Sequence, residues 1–188
     1  MKKAFLLLVT VFLVSGFGQE LVKNGGFEDG LSFWVQEANN SAGTYTITRD
    51  TAYQPDSDYE VKIYKNLRYF ARIVQTVELP GTNVQFSASA KLLATTANAS
   101  SYNAHASVTL QYQDRGGASL GKTIIVKRVG NYNPVSDSFQ HVINVTSNGW
   151  EDYDFLLADE LENLPGVDPE QVAKVTISLN GHGNGIGG

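Results

Sequence analysis

The 188-residue chain contains no cysteine. That excludes disulfides, thiolate metal sites, a cysteine nucleophile and the lipidated cysteine of a lipoprotein, so the core must hold by packing alone. Basic residues are scarce as well, 14 against 19 acidic for a net charge of −5. Nucleic acid and anionic membranes both demand clustered Lys and Arg, and this balance disfavours them as partners. It says nothing for or against neutral glycans. Helical periodicity is almost absent. Beyond the first residues, no apolar run approaches the roughly 20 residues that a bilayer span requires. Histidine is rare: His105, His141 and His182 are the only three. None lies at metal-ligand spacing from another, and they read as solvent-facing or incidental.

What is present begins with an address. Lys2 and Lys3 form a positive start, Ala4 to Val14 an apolar core and Gly16-Phe17-Gly18 a small-residue cleavage site, the pattern of a secretory signal peptide over residues 1–18. The chain is therefore expected to be secreted or surface-exposed. Cleavage after Gly18 takes the basic residues from 14 to 12 against the same 19 acids, a net charge of −7. About 170 remaining residues suffice for one domain with its own core, residues 19–188.

Alternating runs rich in β-branched and aromatic residues recur behind Gly, Asn, Asp or Pro, which predicts an all-β, two-sheet antiparallel sandwich. Ten strands are expected, roughly at Leu21 to Val22, Gly43 to Arg49, Tyr59 to Tyr64, Arg72 to Leu79, Val84 to Leu93, Ala104 to Gln113, Thr123 to Val126, Phe139 to Val145, Trp150 to Leu156 and Ala173 to Leu179. Alternation assigns their faces. Val84, Phe86, Ala88, Ala90 and Leu92 share a core face, as do Ala106, Val108, Leu110 and Tyr112; His105, Ser107, Thr109, Gln111 and Gln113 then point outward. Asp168-Pro169 suits the start of a single helical turn. Polar stretches at Thr95 to Asn103 and Arg128 to Asp137 are the long loops, and the glycine-rich tail "NGHGNGIGG" reads as a loop or linker. Its formal G-x-G-x-x-G has no following helix to bind a pyrophosphate.

The segment "LVKNGGFEDGLSFW" carries the most pointed signal. Gly25 and Gly26 allow a sharp bend, and Glu28 then turns a carboxylate back toward the chain, a place that suits a hard cation such as calcium together with carbonyls from the Gly bend. Trp34 is expected to close one end of the core. Asn24-Gly25-Gly26-Phe27-Glu28 with Trp34 resembles the opening of the carbohydrate-binding modules of the jelly-roll, galactose-binding-domain-like type, such as families four, nine, sixteen and twenty-two. "YEVKIYK", "IVQTVELPGTNVQFSASAK", "VTLQYQDRGGASLG", "GWEDYDF" and "VAKVTISLNG" follow in that family's order, so the resemblance covers essentially all of residues 19–188. It implies a jelly roll with a structural calcium at Gly26 and Glu28, and a glycan groove on the concave sheet or loop rim. It also implies a closing strand after the Gly-rich tail; Gly188 falls inside what would be that loop, so either the chain is a fragment of a longer protein, the favoured reading, or its sandwich has an unpaired edge.

Sugar binding needs flat rings to stack on C–H faces and amide, hydroxyl or guanidinium groups to pair hydroxyls. The candidates are Arg72, Thr109, Gln111 and Gln113 on the outward faces, with Tyr69, Tyr102 and Tyr132 as rim platforms. No outward Trp is expected on the polar face, which favours single soluble polysaccharide chains over crystalline surfaces. Asp152 and Asp154 share a strand face at a spacing that overlaps the range of inverting glycosidase carboxylates, but acids there read as solvated surface. No nucleophile elbow appears. The expectation is a non-catalytic module that binds poly- or oligosaccharide, appended to a larger secreted enzyme or surface protein; the alternative is an adhesive jelly-roll domain that binds protein or matrix. N-x-S/T sequons stand at Asn39, Asn98 and Asn144.

Overall fold

A computed structural model of the chain describes residues 7–15, 20–39, 41–51, 59–96 and 98–184. Two sheets face each other. The smaller runs β10(Glu151–Leu156), β6(Val84–Leu92), β1(Leu7–Ser15), β4(Glu60–Lys65), β3(Tyr45–Asp50). The larger runs β2(Val35–Ala38), β5(Tyr69–Glu78), β11(Lys174–Asn184), β7(Asn103–Gln113), β8(Ser119–Val129), β9(Gln140–Asn144). All pairings are antiparallel except β8 with β9. The chain is an all-β sandwich.

Alternation positions the core as the sequence implies. Val84, Phe86, Ala88, Ala90 and Leu92 are buried along β6, and Ala106, Val108, Leu110 and Tyr112 along β7. They meet Ile73, Ile125, Val175, Ile177 and Leu179 from the larger sheet in one apolar layer. Trp34 is buried at the edge of that layer, tilted against Phe27 at 5.6 Å, with its indole N–H donating to the Asn24 carbonyl. Pro169–Gln171 forms a single 3₁₀ turn, capped by the Asp168 carboxylate accepting from the Glu170 N–H.

Four differences from the sequence reading have physical causes. Leu7–Ser15, expected only as part of a leader, is the central strand of the smaller sheet, because the mainly apolar run LLVTVFLVS suits a β-strand as well as it suits a leader. Val35–Ala38 is an edge strand too short and too exposed to show alternation. Leu21 and Val22, expected as a strand, lie in a turn-rich segment instead, with Val22 buried. Finally β11 continues through Asn184, so Asn180-Gly181-His182-Gly183 is strand and not loop. Gly183 permits this, since a Cβ there would collide with the Leu67 carbonyl. A five-residue helix, α1(Leu157–Leu161), follows β10 and buries Leu157 and Leu161. Its Glu160 carboxylate, also buried, accepts from the Thr123 hydroxyl and pairs with His141, both at 2.6 Å, and so ties α1 to β8 and β9.

Candidate functional site

The outer face of the larger sheet carries a pocket of about 250 Å³, just below the roughly 300–1,000 Å³ of small-molecule sites and suited to one sugar unit of a chain. Antiparallel register builds it row by row, because residues directly opposite share a face. Phe70, His182, His105 and Arg128 form the first row across β5, β11, β7 and β8. Arg72, Asn180, Ser107 and Val126 form the second, extended by Glu37 on β2. Ser178, Thr109 and Ile124 form the third, and Thr76, Thr176, Gln111 and Lys122 the fourth. The pocket draws its lining from these rows and from Tyr132 in the loop after β8.

Its first row is aromatic. The His105 ring stacks on Tyr132 at 4.2 Å and on His182 at 4.6 Å. The Arg72 guanidinium lies 5.0 Å from the centre of the Phe70 ring and is itself held by Glu37 through two charge-assisted bonds of 2.5 and 2.7 Å. Arg128 donates to the Tyr132 carbonyl at 3.0 Å and so pins the loop that bears the ring. Tyr132 also packs on Ile124, Val126 and Val142, a small apolar patch on this outer face. The floor is a connected polar set: Ser178 donates to Asn180, whose amide donates to Ser107 at 3.3 Å.

Burial and mutual proximity set the charge state of the histidines. Desolvation, with the neighbouring His182, pushes His105 down from 6.5 to about 3; burial and the Lys65 charge also lower His182. His105 Nδ1 is buried with no hydrogen-bond partner among the described residues, so nothing supports an imidazolium there. At neutral pH the stack is uncharged. The unfolded chain therefore binds a proton at His105 that the folded chain refuses, and the stability this residue brings is present above about 6.5 and lost as pH falls through that value toward 3. A His105→Phe chain should accordingly show a shallower fall of melting temperature with acidification across this window than the parent chain; identical slopes would remove His105 as a cause.

Of the sequence candidates, the structure brings Arg72, Thr109 and Tyr132 together in the pocket. Gln111 is on the same face one row beyond, beside Lys122. Gln113 lies farther along β7, bonded to Thr176 and the Gly117 carbonyl. Tyr69 is exposed at the start of β5, on the opposite parity to Phe70, and Tyr102 precedes β7; neither lines the pocket. His105 and His182, read as incidental, stand in its aromatic row. Sequence reasoning put His105 on the correct face; His182 was hidden by the glycines around it.

At the other expected site, the Glu28 carboxylate does turn back, with Oε1 where a Cβ on Gly26 would be 3.0 Å away. Calcium takes six to eight oxygens. Here the Glu28 carbonyl already accepts from Arg49 at 2.7 Å, and among the described residues no three His, Asp or Glu side chains gather as a metal site. The described residues alone do not complete a calcium site. Asp152 and Asp154 are exposed, Asp154 accepting from Gln85 and Ser87.

No family model matches the sequence, and no curated protein matches it. Among solved structures, one of the carbohydrate-binding module TmCBM61 in complex with β-1,4-galactotriose is similar over 88% of this chain and 89% of that one, at 14% identity and a TM-score of 0.43.

Proposed function

We propose that this chain is an exported, non-catalytic carbohydrate-binding module whose sugar site is the pocket on the outer face of the larger sheet, carried by a larger secreted or surface protein. The observation that carries the reading is the pocket's composition. An aromatic row of Phe70, His182, His105 and Tyr132 borders a hydrogen-bonding floor of Ser107, Thr109 and Asn180. Rings stack against the C–H faces of a pyranose, while amides and hydroxyls on rigid strands exchange bonds with its hydroxyls at little ordering cost. The groups that face the ligand are neutral donors and acceptors, rings and cations. Such a set holds a sugar without supplying the pair of carboxylates that glycoside cleavage uses. Export rests on the leader-like residues 1–18, read as retained in the exported chain because Leu7–Ser15 form β1, and the sugar-binding reading agrees with the family that the sequence resembles.

The test is affinity electrophoresis of the full chain through gels carrying soluble galactan, xylan, β-glucan, mannan or pectin, beside a thermal melt. Retardation by one or more polymers is expected. Phe70→Ala should weaken it at least about fivefold, since a stacking aromatic is worth about 1 kcal/mol beyond its buried area. Gln113→Ala should leave it unchanged, because Gln113 lies outside the pocket. A folded chain retarded by no polymer overturns the reading in favour of the adhesive one. Equal effects of both substitutions would place the sugar elsewhere on the sheet.

A further inference from the structure

We infer that the glycan this pocket selects is an acidic one, with a uronate carboxylate paired to the Lys122 ammonium at the fourth-row end of the site. The inference rests on the sugar-binding reading and deepens it by naming the substrate class.

Charge distribution carries it. The chain as a whole is acidic, at −5, so a cationic pocket is not a background property of its surface. None of the described residues that line the pocket is Asp or Glu, whereas Arg72 and Lys122 both line it. The Arg72 charge is cancelled by Glu37 at 2.5 Å. Lys122 is different: it is half-buried, and its ammonium has no ion pair or hydrogen bond among the described residues. Arg128, at the first-row end, is held only by neutral acceptors, the Asn144 side chain and the Tyr132 carbonyl. Lys122 is thus an uncompensated cation at one end of a floor of uncharged polar groups, and Arg128 stands in the first row outside the lining. A neutral sugar asks for none of this charge. A carboxylate seated at Lys122 gains a charge-assisted bond, roughly twice as strong as a neutral one, in a setting partly shielded from water.

Position adds a second reason. Lys122 is directly opposite Gln111 on β7, and Thr176 is opposite Gln111 on β11. An ammonium, an amide and a hydroxyl therefore lie in one line across three rigid strands. The Thr176 hydroxyl donates to Gln113, so the Lys122 ammonium and the Gln111 amide are the donors for the two oxygens of a carboxylate, while Thr109 and Asn180, one and two rows back, remain for ring hydroxyls.

The experiment compares retention of the full chain by soluble polygalacturonate, by its highly methyl-esterified counterpart, in which the same backbone is uncharged, and by neutral β-1,4-galactan. Lys122→Gln, and Lys91→Gln on the outer face of the smaller sheet, serve as charge-matched variants, each melted to confirm folding. Expected is tenfold or greater preference for polygalacturonate over its ester, weakening as salt rises, lost in Lys122→Gln and kept in Lys91→Gln. Equal retention of acid and ester, or preference unchanged in Lys122→Gln, overturns the acidic inference while sugar binding stands. Loss of the preference in both variants reduces it to net charge, and likewise overturns the assignment to Lys122. Retention by no polymer removes both the inference and the reading beneath it.

Discussion

A chain starting at Gln19, without β1, is expected to lose its cooperative thermal transition. β1 is the middle strand of the smaller sheet, in register with β6 over nine residue pairs from Leu7↔Leu92 to Ser15↔Val84, and with β4 over three. Each ladder bond contributes about 0.5–1.5 kcal/mol net, so the β6 side alone is comparable to the roughly 5–15 kcal/mol that holds a domain folded. Removal also separates β10 and β6 from β4 and β3, and two two-stranded remnants are marginal by themselves. The buried faces of Phe86, Leu92 and Ile63 would then lie along an open seam. The measurement is a calorimetric or circular-dichroism melt of residues 19–188 beside the full chain, repeated with a solubilised peptide of residues 7–15. A broad, non-cooperative melt that sharpens with the peptide is the expected result. A cooperative melt within a few degrees of the full chain would show that the sheet closes without β1.

That prediction bears on two sequence expectations at once. A leader that is removed leaves the smaller sheet without its middle strand, and a chain that stops inside the Gly-rich loop leaves the sandwich without a closing one. In the structure the leader-like residues fill the sheet instead. Periodicity has no means of choosing between these roles, because a mainly apolar run satisfies export machinery and a strand in a sandwich alike. Where one face is wet, the sequence is far more informative. The alternation of Ala104 to Gln113 set the apolar face of β7 apart from the face of Thr109 and Gln111, although Ser107 on that second face is buried as well. Parity on one strand does not reveal which strand lies beside it. That β11 lies between β5 and β7, and so sets Asn180 beside Arg72 and His182 beside His105, follows from long-range register over more than sixty residues of chain. The aromatic wall was partly legible for the same reason: Tyr132 stood out as a loop tyrosine, but its stacking on His105 depends on how the loop folds back.

Gly130→Ala should be the most damaging single substitution at the site. Gly130 ends β8 and starts the loop that carries Tyr132 over the sheet, with φ at +81°, a conformation that side chains resist. A methyl there would also drive into the Tyr102 carbonyl, and it would be 2.9 Å from the Asn103 Cα, both backbone atoms with no rotamer to yield. Gly117 is the internal control, since its φ of +90° is equally unfavourable but its Cβ would meet open space. Gly117→Ala should therefore cost about 1–2 kcal/mol. Gly130→Ala should cost about 3 kcal/mol or more, a fall of roughly 6–12 °C in melting temperature for a chain of this size. Its effect on ligand is the sharper readout. If the loop moves to relieve the clash, the bond from Arg128 to the Tyr132 carbonyl and the Tyr132–His105 stack are lost with it, and one wall of the pocket goes. Sugar retention measured well below both melting temperatures should then vanish in Gly130→Ala and persist in Gly117→Ala. Equal retention in the two would mean that the wall is not part of the binding site, and the aromatic row would reduce to Phe70 and the two histidines.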